Sequence, residues 1–270
     1  MQPLEGNLTL ADGITARAVE VSTPLPTPLL KISANLITSH LPADASAREK
    51  QMLATIGSTD WDDFEKLENL RFSKEDSSLL ALGLHVPEVT ALSGESWLQQ
   101  LKAPTRLMNI QLNELRSFRL PSAAVRHYDR ASCSLIGLYH DDLPNAVPER
   151  MSVAPDLGLL FDGGRLAGWI LANAPEHLAQ WADDLVEPTT PDDDLAGALG
   201  DFLELIEDEH MDDLNDGAPW VLERLNLIKE RIPETAASNA AGRAALRELA
   251  RACGLEPHEQ VGDLGIVAEC

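Results

Sequence analysis

Apolar and polar residues alternate at short range near the start of the chain, then shift toward a helical period. The two regimes predict different elements. Asn7 to Val21 holds two short runs around Ala11-Asp12-Gly13, a turn-forming tripeptide, which predicts a β-hairpin. Pro24, Pro26 and Pro28 impose an extended connector. In Leu30-Lys31-Ile32-Ser33-Ala34-Asn35-Leu36 the alternation predicts a half-buried strand. From about Asp44 to Leu120 the spacing turns helical. Phe64 and Leu67 share a face behind an acidic first turn at Asp60, Asp62 and Asp63. Leu107, Ile110, Leu112, Leu115 and Phe118 predict a helix over Thr105 to Leu120, limited by Pro121. Strands return at Ser132 to Tyr139. Leu157–Phe161 and Leu166–Leu171 flank Asp162-Gly163-Gly164, the clearest hairpin signal in the chain. A helix follows over Pro175 to Val186.

Glu187-Pro188-Thr189-Thr190-Pro191 reads as a linker, and three helices are expected after it, over 192–211, 219–231 and roughly 239–252. Leu195, Leu199, Phe202 and Ile206 stripe the first; Val221, Leu225, Ile228 and Ile232 stripe the second. A short strand over Leu264 to Ala268 completes the expected order. The fold class is α+β, with a sheet-and-helix part over 1–187 and a helical part over 192–270.

Composition narrows the function classes. The 270 residues carry 44 acids against 21 bases, a formal net charge of −23, yet 44% are apolar, too many for a disordered chain. Such an acid excess opposes general nucleic-acid binding, which needs Lys and Arg to displace counterions. Twelve aromatic residues make a poor base-stacking platform. Before Arg17 there is no base, and no apolar h-region follows Met1, so neither a secretory signal nor a membrane span is expected. Cys133, Cys253 and Cys270 form no C-x-x-C pair, which argues against a disulfide framework or zinc ribbon and for a reducing cytoplasm.

The charge is not spread evenly. Residues 1–165 hold 15 bases and 21 acids, and residues 224–270 hold 6 and 7. Leu166 to Glu223 holds 16 acids and neither Lys nor Arg. Within that block Asp201, Glu204, Asp208 and Asp212 follow a helical spacing on the polar face of the expected 192–211 helix. Like charges one turn apart cost a few tenths of a kcal/mol each, so local preference is overridden there. Two readings compete. Arg243, Arg247 and Arg251 recur every fourth residue, with Arg224, Lys229 and Arg231 on the helix before, and an antiparallel bundle would let these rows neutralise the acids internally. Otherwise the acids dock a basic partner.

Other motifs carry less. Asp212 to Glu223 partly matches an EF-hand loop, with acids at its first, fifth and twelfth positions and Gly217 at its sixth. Leu214 and Pro219 depart from that pattern. Gly217 ending one helix in the left-handed conformation and Pro219 starting the next is the simpler reading. Glu207-Asp208-Glu209-His210 contains the Glu-x-x-His of carboxylate-bridged di-iron bundles, without the second copy those sites need. His140-Asp141-Asp142 follows a strand, a common position for active-site groups, but Cys133 at the strand's other end is too far for a thiol–imidazole pair and reads as a small core residue. Phe161 to Trp169 resembles the central hairpin of GNAT-type acetyltransferases. The Gly- and Arg-rich loop that should follow has no counterpart in the base-free block, and the resemblance ends at the hairpin. One basic stretch, Lys102 to Arg130, holds Lys102, Arg106, Arg116, Arg119, Arg126 and Arg130 against Glu114 and Asp129. The simpler reading is ordinary exposed helix residues whose stems cover apolar surface; otherwise the stretch suits an anionic partner, the protein's own acidic block, or head-to-tail self-association into a homo-oligomer.

The expected function is that of a cytoplasmic, non-enzymatic binding protein without a cofactor: an adaptor, inhibitor or assembly subunit. It docks a basic protein through Asp201, Glu204, Asp208 and Asp212, in one version by presenting carboxylates where a nucleic-acid-binding protein expects phosphates. The alternatives are an enzyme using carboxylates near His140 or His210, with a divalent cation, and a structural subunit of a larger particle.

Overall fold

A computed structural model describes residues 7–20, 24–39, 44–58, 68–91, 101, 107–140, 147–179, 192–233 and 240–253. Among these the fold is α+β, with thirteen strands in two sheets, most of the helix in the C-terminal part, and no helix long and apolar enough to cross a membrane.

The first sheet begins with the expected hairpin of β1 (Asn7–Ala11) and β2 (Ile14–Glu20). The second sheet follows, from β3 (Leu29–Lys31), β4 (Leu36–Ser39), β5 (Thr55–Gly57), β6 (Asn69–Ser73) and β7 (Leu79–His85), in the order β3-β4-β7-β6-β5. The chain then returns to the first sheet through β8 (Met108–Leu112), β9 (Val125–Asp129), β10 (Ser134–Leu138), β11 (Glu149–Ala154), β12 (Leu157–Asp162) and β13 (Arg165–Leu171). Its main order is β11-β12-β13-β1-β2-β8, and β10 and β9 branch from β13. The beginning of β13 pairs in parallel with β1, Thr9 opposite Arg165, and its end pairs antiparallel with β10. Leu107, just before β8, bridges Ser152 of β11, so the sheet curls until its two outer strands meet. Curling removes the open edges that a flat sheet of this size would expose. Asn109 ties the sheets together, its side-chain amide exchanging hydrogen bonds of 3.1 Å with the backbone of Leu79. The β12–β13 turn uses Gly163 and Gly164 at φ 53° and 80°, the positive values that a tight hairpin turn demands.

Several expected elements are corrected. Among the described residues of 44–120, four strands, β5 to β8, stand where helix was expected, beside α1 (Ala45–Ala54), which is capped by Asp44, whose carboxylate accepts from the Ala47 amide at 2.8 Å. Of the helix expected over Thr105–Leu120, the described residues 107–120 form β8 followed by irregular chain. Leu107 and Leu115, two of the five residues that suggested a helical stripe, are 37% and 40% exposed; of the three buried ones, Ile110 and Leu112 lie at a strand's spacing of two, and Phe118 lies in the chain after β8. The expected strand over Leu30–Leu36 is broken by a 3-10 turn at Ile32–Ala34 with Asn35 left-handed, so that β3 and β4 are two strands of a hairpin. Of the Pro175–Val186 helix only a 3-10 turn over Ala174–His177 is described. The helix around Phe64, the 187–191 linker and the 264–268 strand lie outside the described residues.

The C-terminal helices are α2 (Asp193–Leu205), α3 (Met211–Asn215), α4 (Pro219–Arg231) and α5 (Ala240–Cys253). Both apolar stripes turn inward as expected: Leu195, Leu199, Phe202 and Ile206, and Val221, Leu225, Ile228 and Ile232, are buried in the same core as Leu30, Leu171 and Leu178. At about 1.5–3 kcal/mol per fully buried large side chain, this packing outweighs any charge repulsion on the outer faces. The helix expected over 192–211 is interrupted, however. It ends at Leu205, and Glu207 is extended before a 3-10 turn over Asp208–His210.

Candidate functional site

The acidic block begins with a carboxylate that is buried. Asp192 caps α2, accepting from the Leu195 amide at 3.0 Å, and also receives the Arg243 guanidinium, whose Nε lies 2.8 Å from Oδ2. Both side chains are almost wholly enclosed, so each charge depends on the other. Asp193 and Asp194 follow in the first turn, where the helix dipole favours them.

Further along α2, Asp201 and Glu204 are held by three arginines. Arg130, from the β9–β10 turn, lies 2.9 Å from Asp201 and 2.6 Å from Glu204. Arg231 pairs with Asp201, and Arg224 reaches Glu204 at 3.2 Å. Glycines explain how these side chains come so close. A Cβ on Gly197 would stand 2.8 Å from Arg231, and one on Gly200 would stand 2.7 Å from the Arg130 guanidinium. Each glycine costs its helix about 1 kcal/mol relative to Ala, and the space it leaves admits an arginine. Two glycines three apart inside an acidic helix are the signal by which the sequence could have shown this network.

Of the expected arginine rows, Arg224, Arg231 and Arg243 do meet acids of the block, Arg243 at its buried Asp192. Arg247 donates to the carbonyls of Lys229 and Ile232 near the end of α4, and Arg251 pairs with Glu248 on its own helix. Part of the basic stretch also meets the acidic block, through Arg130 and Arg126. Arg126 is fully buried and donates to the carbonyls of Pro87 and Leu203. It supplies a cation and a donor at the C-terminal end of α2, where carbonyls lack intrahelical partners. Burial lowers its pKa to about 10, against the pull of Glu207 and Glu88, which leaves it charged at neutral pH.

Beyond Leu205 the pattern changes. Because the helix breaks, Asp208 and Asp212 do not continue the row of Asp201 and Glu204; they lie on the 3-10 turn and on α3. Asp208, Asp212 and Asp216 have no ion-pair partner among the described residues. Asp213 accepts from the Trp220 indole at 2.9 Å. Gly217, at φ 63°, ends α3, and Pro219 opens α4, so the Asp212–Glu223 segment is a helix–turn–helix corner. Glu207 accepts from the Thr90 hydroxyl at 2.7 Å, and one potential ligand atom each of Glu207, Glu209 and His210 lie within 4.8 Å of one another.

The remaining candidates are dispersed. His140 stands at one end of β10, beside a cleft of about 570 Å³ lined by Asp12, Arg119, Tyr139, Asp162 and Arg165. Cys133 stands at the other end, in a left-handed turn at φ 53°, half-exposed rather than in the core, and burial and nearby carboxylates push its thiol pKa up. Two buried groups had no sequence signal. Glu68 accepts from the Ala123 amide at 3.0 Å and the Tyr139 hydroxyl at 3.3 Å, and burial pushes its carboxyl up to about 8. His177 places one ring nitrogen 3.0 Å from the Pro28 carbonyl and the other 3.2 Å from Asp156.

Neither family models, curated proteins nor solved structures give a match to this chain.

Proposed function

We propose that this chain is a non-enzymatic cytoplasmic binding protein, an adaptor or inhibitor that docks a basic protein through its acidic helical region. The carrying observation is the contrast within that region. Three arginines offset Asp201 and Glu204, whereas Asp208, Asp212 and Asp216 are exposed and have no ion-pair partner among the described residues. The docking face therefore centres on 208–216 rather than on the whole row of four. Uncompensated like charge of this density speeds encounter with a basic surface and suppresses acidic competitors.

The test is affinity capture from the native source with the wild-type chain and with an Asp208→Lys, Asp212→Lys, Asp216→Lys variant, at low and high salt. A basic protein retained by the wild type, and lost both at high salt and with the variant, supports the reading. Partners indifferent to both changes would overturn it.

The convergence of Glu207, Glu209 and His210 favours a second reading, a divalent-cation site with three protein ligands and an open position. Zinc titration by calorimetry on the wild type and His210→Ala separates the two readings. Heat of binding lost in the variant supports a metal site, and no heat in the wild type rejects it.

A further inference from the structure

The short 3-10 turn over Ala174–His177 touches more of the molecule than its length suggests. The Ala174 amide donates to the Cys133 carbonyl in the β9–β10 turn at 2.8 Å, and the Ala179 amide donates to Leu30 of β3 at 3.2 Å. Gly242 of α5 packs so closely that a Cβ there would stand 3.3 Å from the Pro175 carbonyl and 3.2 Å from Leu178. The same Cβ would stand 3.2 Å from Leu195 of α2. Both sheets and the helical part therefore meet on residues 174–179.

His177 closes this junction from within. Its side chain is 4% exposed, and each ring nitrogen faces an oxygen. Nδ1 lies 3.0 Å from the Pro28 carbonyl, and Nε2 lies 3.2 Å from the Asp156 carboxylate. A carbonyl can only accept, so Nδ1 must carry a proton. An ionised carboxylate can also only accept, so Nε2 must carry one as well. Asp156 meets that condition: its other oxygen accepts from the Asn173 amide at 3.2 Å, and the His177 contact holds its carboxyl below the usual carboxylate range. Asp156 is also fixed in place. Its backbone is left-handed at φ 60°, and its carbonyl accepts from the Ala172 amide at 2.9 Å and from Arg150 at 3.4 Å.

Satisfying both contacts takes two protons on one ring, which is the charged imidazolium. A neutral ring has one donor and one acceptor, and neither tautomer can serve two acceptors. Removing a proton leaves a buried nitrogen lone pair facing an oxygen, a costly arrangement in a dry site. Two other charged groups act on the pair among the described residues. Glu176, on the same turn, favours the positive charge of the ring, and Arg150, from β11, favours the negative charge of Asp156. The contacts named above from β3, α2 and α5 are backbone and apolar atoms. We infer that His177 and Asp156 form a proton-held latch, which seats residues 174–179 while the ring is charged and releases them when it is neutral. With them α2 and α5 lose part of their seat, so the junction between the sheets and the helical part responds to pH. The seat is firm while the ring holds both protons and is lost as rising pH removes one. At the acid end it weakens where Asp156 takes up a proton, below the usual carboxylate range.

The test follows the ring and the turn together in the full chain. Long-range proton–nitrogen NMR spectra count the protons on the His177 ring at each pH. Hydrogen–deuterium exchange, corrected for the intrinsic rate, reports the opening of residues 174–179. The latch expects a doubly protonated ring while the turn is protected. Exchange should then speed up roughly tenfold or more once a proton is lost, the effect of losing one hydrogen bond to a charged group. Asp156→Asn supplies the control: its amide can donate to Nε2, so a neutral ring meets both partners and the pH response should disappear. Glu68 is unchanged in that variant, so its own titration cancels in the comparison. His177→Gln does not titrate and should exchange fast at every pH; if it fails to fold, Asp156→Asn still decides. A ring carrying one proton while the turn is fully protected, exchange over 174–179 that ignores the charge of the ring, or an unchanged pH response in Asp156→Asn would each overturn the latch.

Discussion

The acids before Leu205 and the acids after it belong to one base-free stretch of sequence, yet the fold treats them in opposite ways. Asp192, Asp201 and Glu204 are each met by arginine, from α4, α5 and the β9–β10 turn. Asp208, Asp212 and Asp216 are exposed, with no ion-pair partner among the described residues. The divide coincides with the helix break, where Arg126 takes the Leu203 carbonyl and the chain turns away from the arginines. Charge density along a sequence therefore says little about charge presented to a partner; the register of the neighbouring helices decides it.

The largest expected effect lies on the paired side. Arg243→Ala leaves the Asp192 carboxylate buried without its cation and should lower stability by about 3–5 kcal/mol in urea unfolding. A double change to Arg243→Met and Asp192→Leu should recover much of the loss. Failure to recover it would place the value of the pair in the helix cap that Asp192 also provides.

Glu68 sharpens the contrast, since it is an acid that gives up its charge instead of finding a cation. With its carboxyl pushed up to about 8 from an ordinary 4.5, the native chain holds a proton that the unfolded chain has released throughout that window. Its contribution is thus full below pH about 4.5, falls as pH rises toward about 8, and is flat above, a total on the order of a few kcal/mol. Subtracting the pH–stability profile of Glu68→Gln from that of the wild type should reveal this slope. A flat difference across the window would show that Glu68 does not titrate there.

Smaller effects test the network itself. Arg130→Ala should cost about 1 kcal/mol, because its ion pairs are partly exposed while its contacts on α2 are close. At the other extreme, changing Asp208, Asp212 and Asp216 together to Asn should leave the thermal midpoint nearly unchanged, within about 0.5 kcal/mol. A clear destabilisation there would mean that these acids hold the corner together and are not a free surface.

Much of the fold was legible where turn chemistry and pattern agreed. The Ala11-Asp12-Gly13 and Asp162-Gly163-Gly164 hairpins read directly, as did the apolar stripes of α2 and α4. Thr105–Leu120 misled because Leu107 and Leu115 are surface residues that happened to complete a helical spacing around the strand pair Ile110 and Leu112. The acidic row misled for a different reason. Periodicity carries no mark of a helix ending at Leu205 when the residue that stabilises that end, Arg126, comes from a distant strand. Glu68 and His177 were invisible because their significance lies in long-range partners, Ala123 and Tyr139 for one, Pro28 and Asp156 for the other.

The curled first sheet has a consequence for how the chain comes to be folded at all. Its opening hairpin, β1 and β2, borders β8 on one side and β13 on the other, and β8 meets β11 at Leu107 and Ser152. During synthesis the hairpin therefore waits, with β1's other edge unpaired, until Arg165 has left the ribosome and can lie beside Thr9. Pairings of such long sequence separation are slow to form, and exposed edges in the interval invite wrong partners. The β12–β13 hairpin, local and rich in turn signals, is the natural place for closure to start. Lesions in residues 157–171 should accordingly reduce the yield of native protein more than its stability once made.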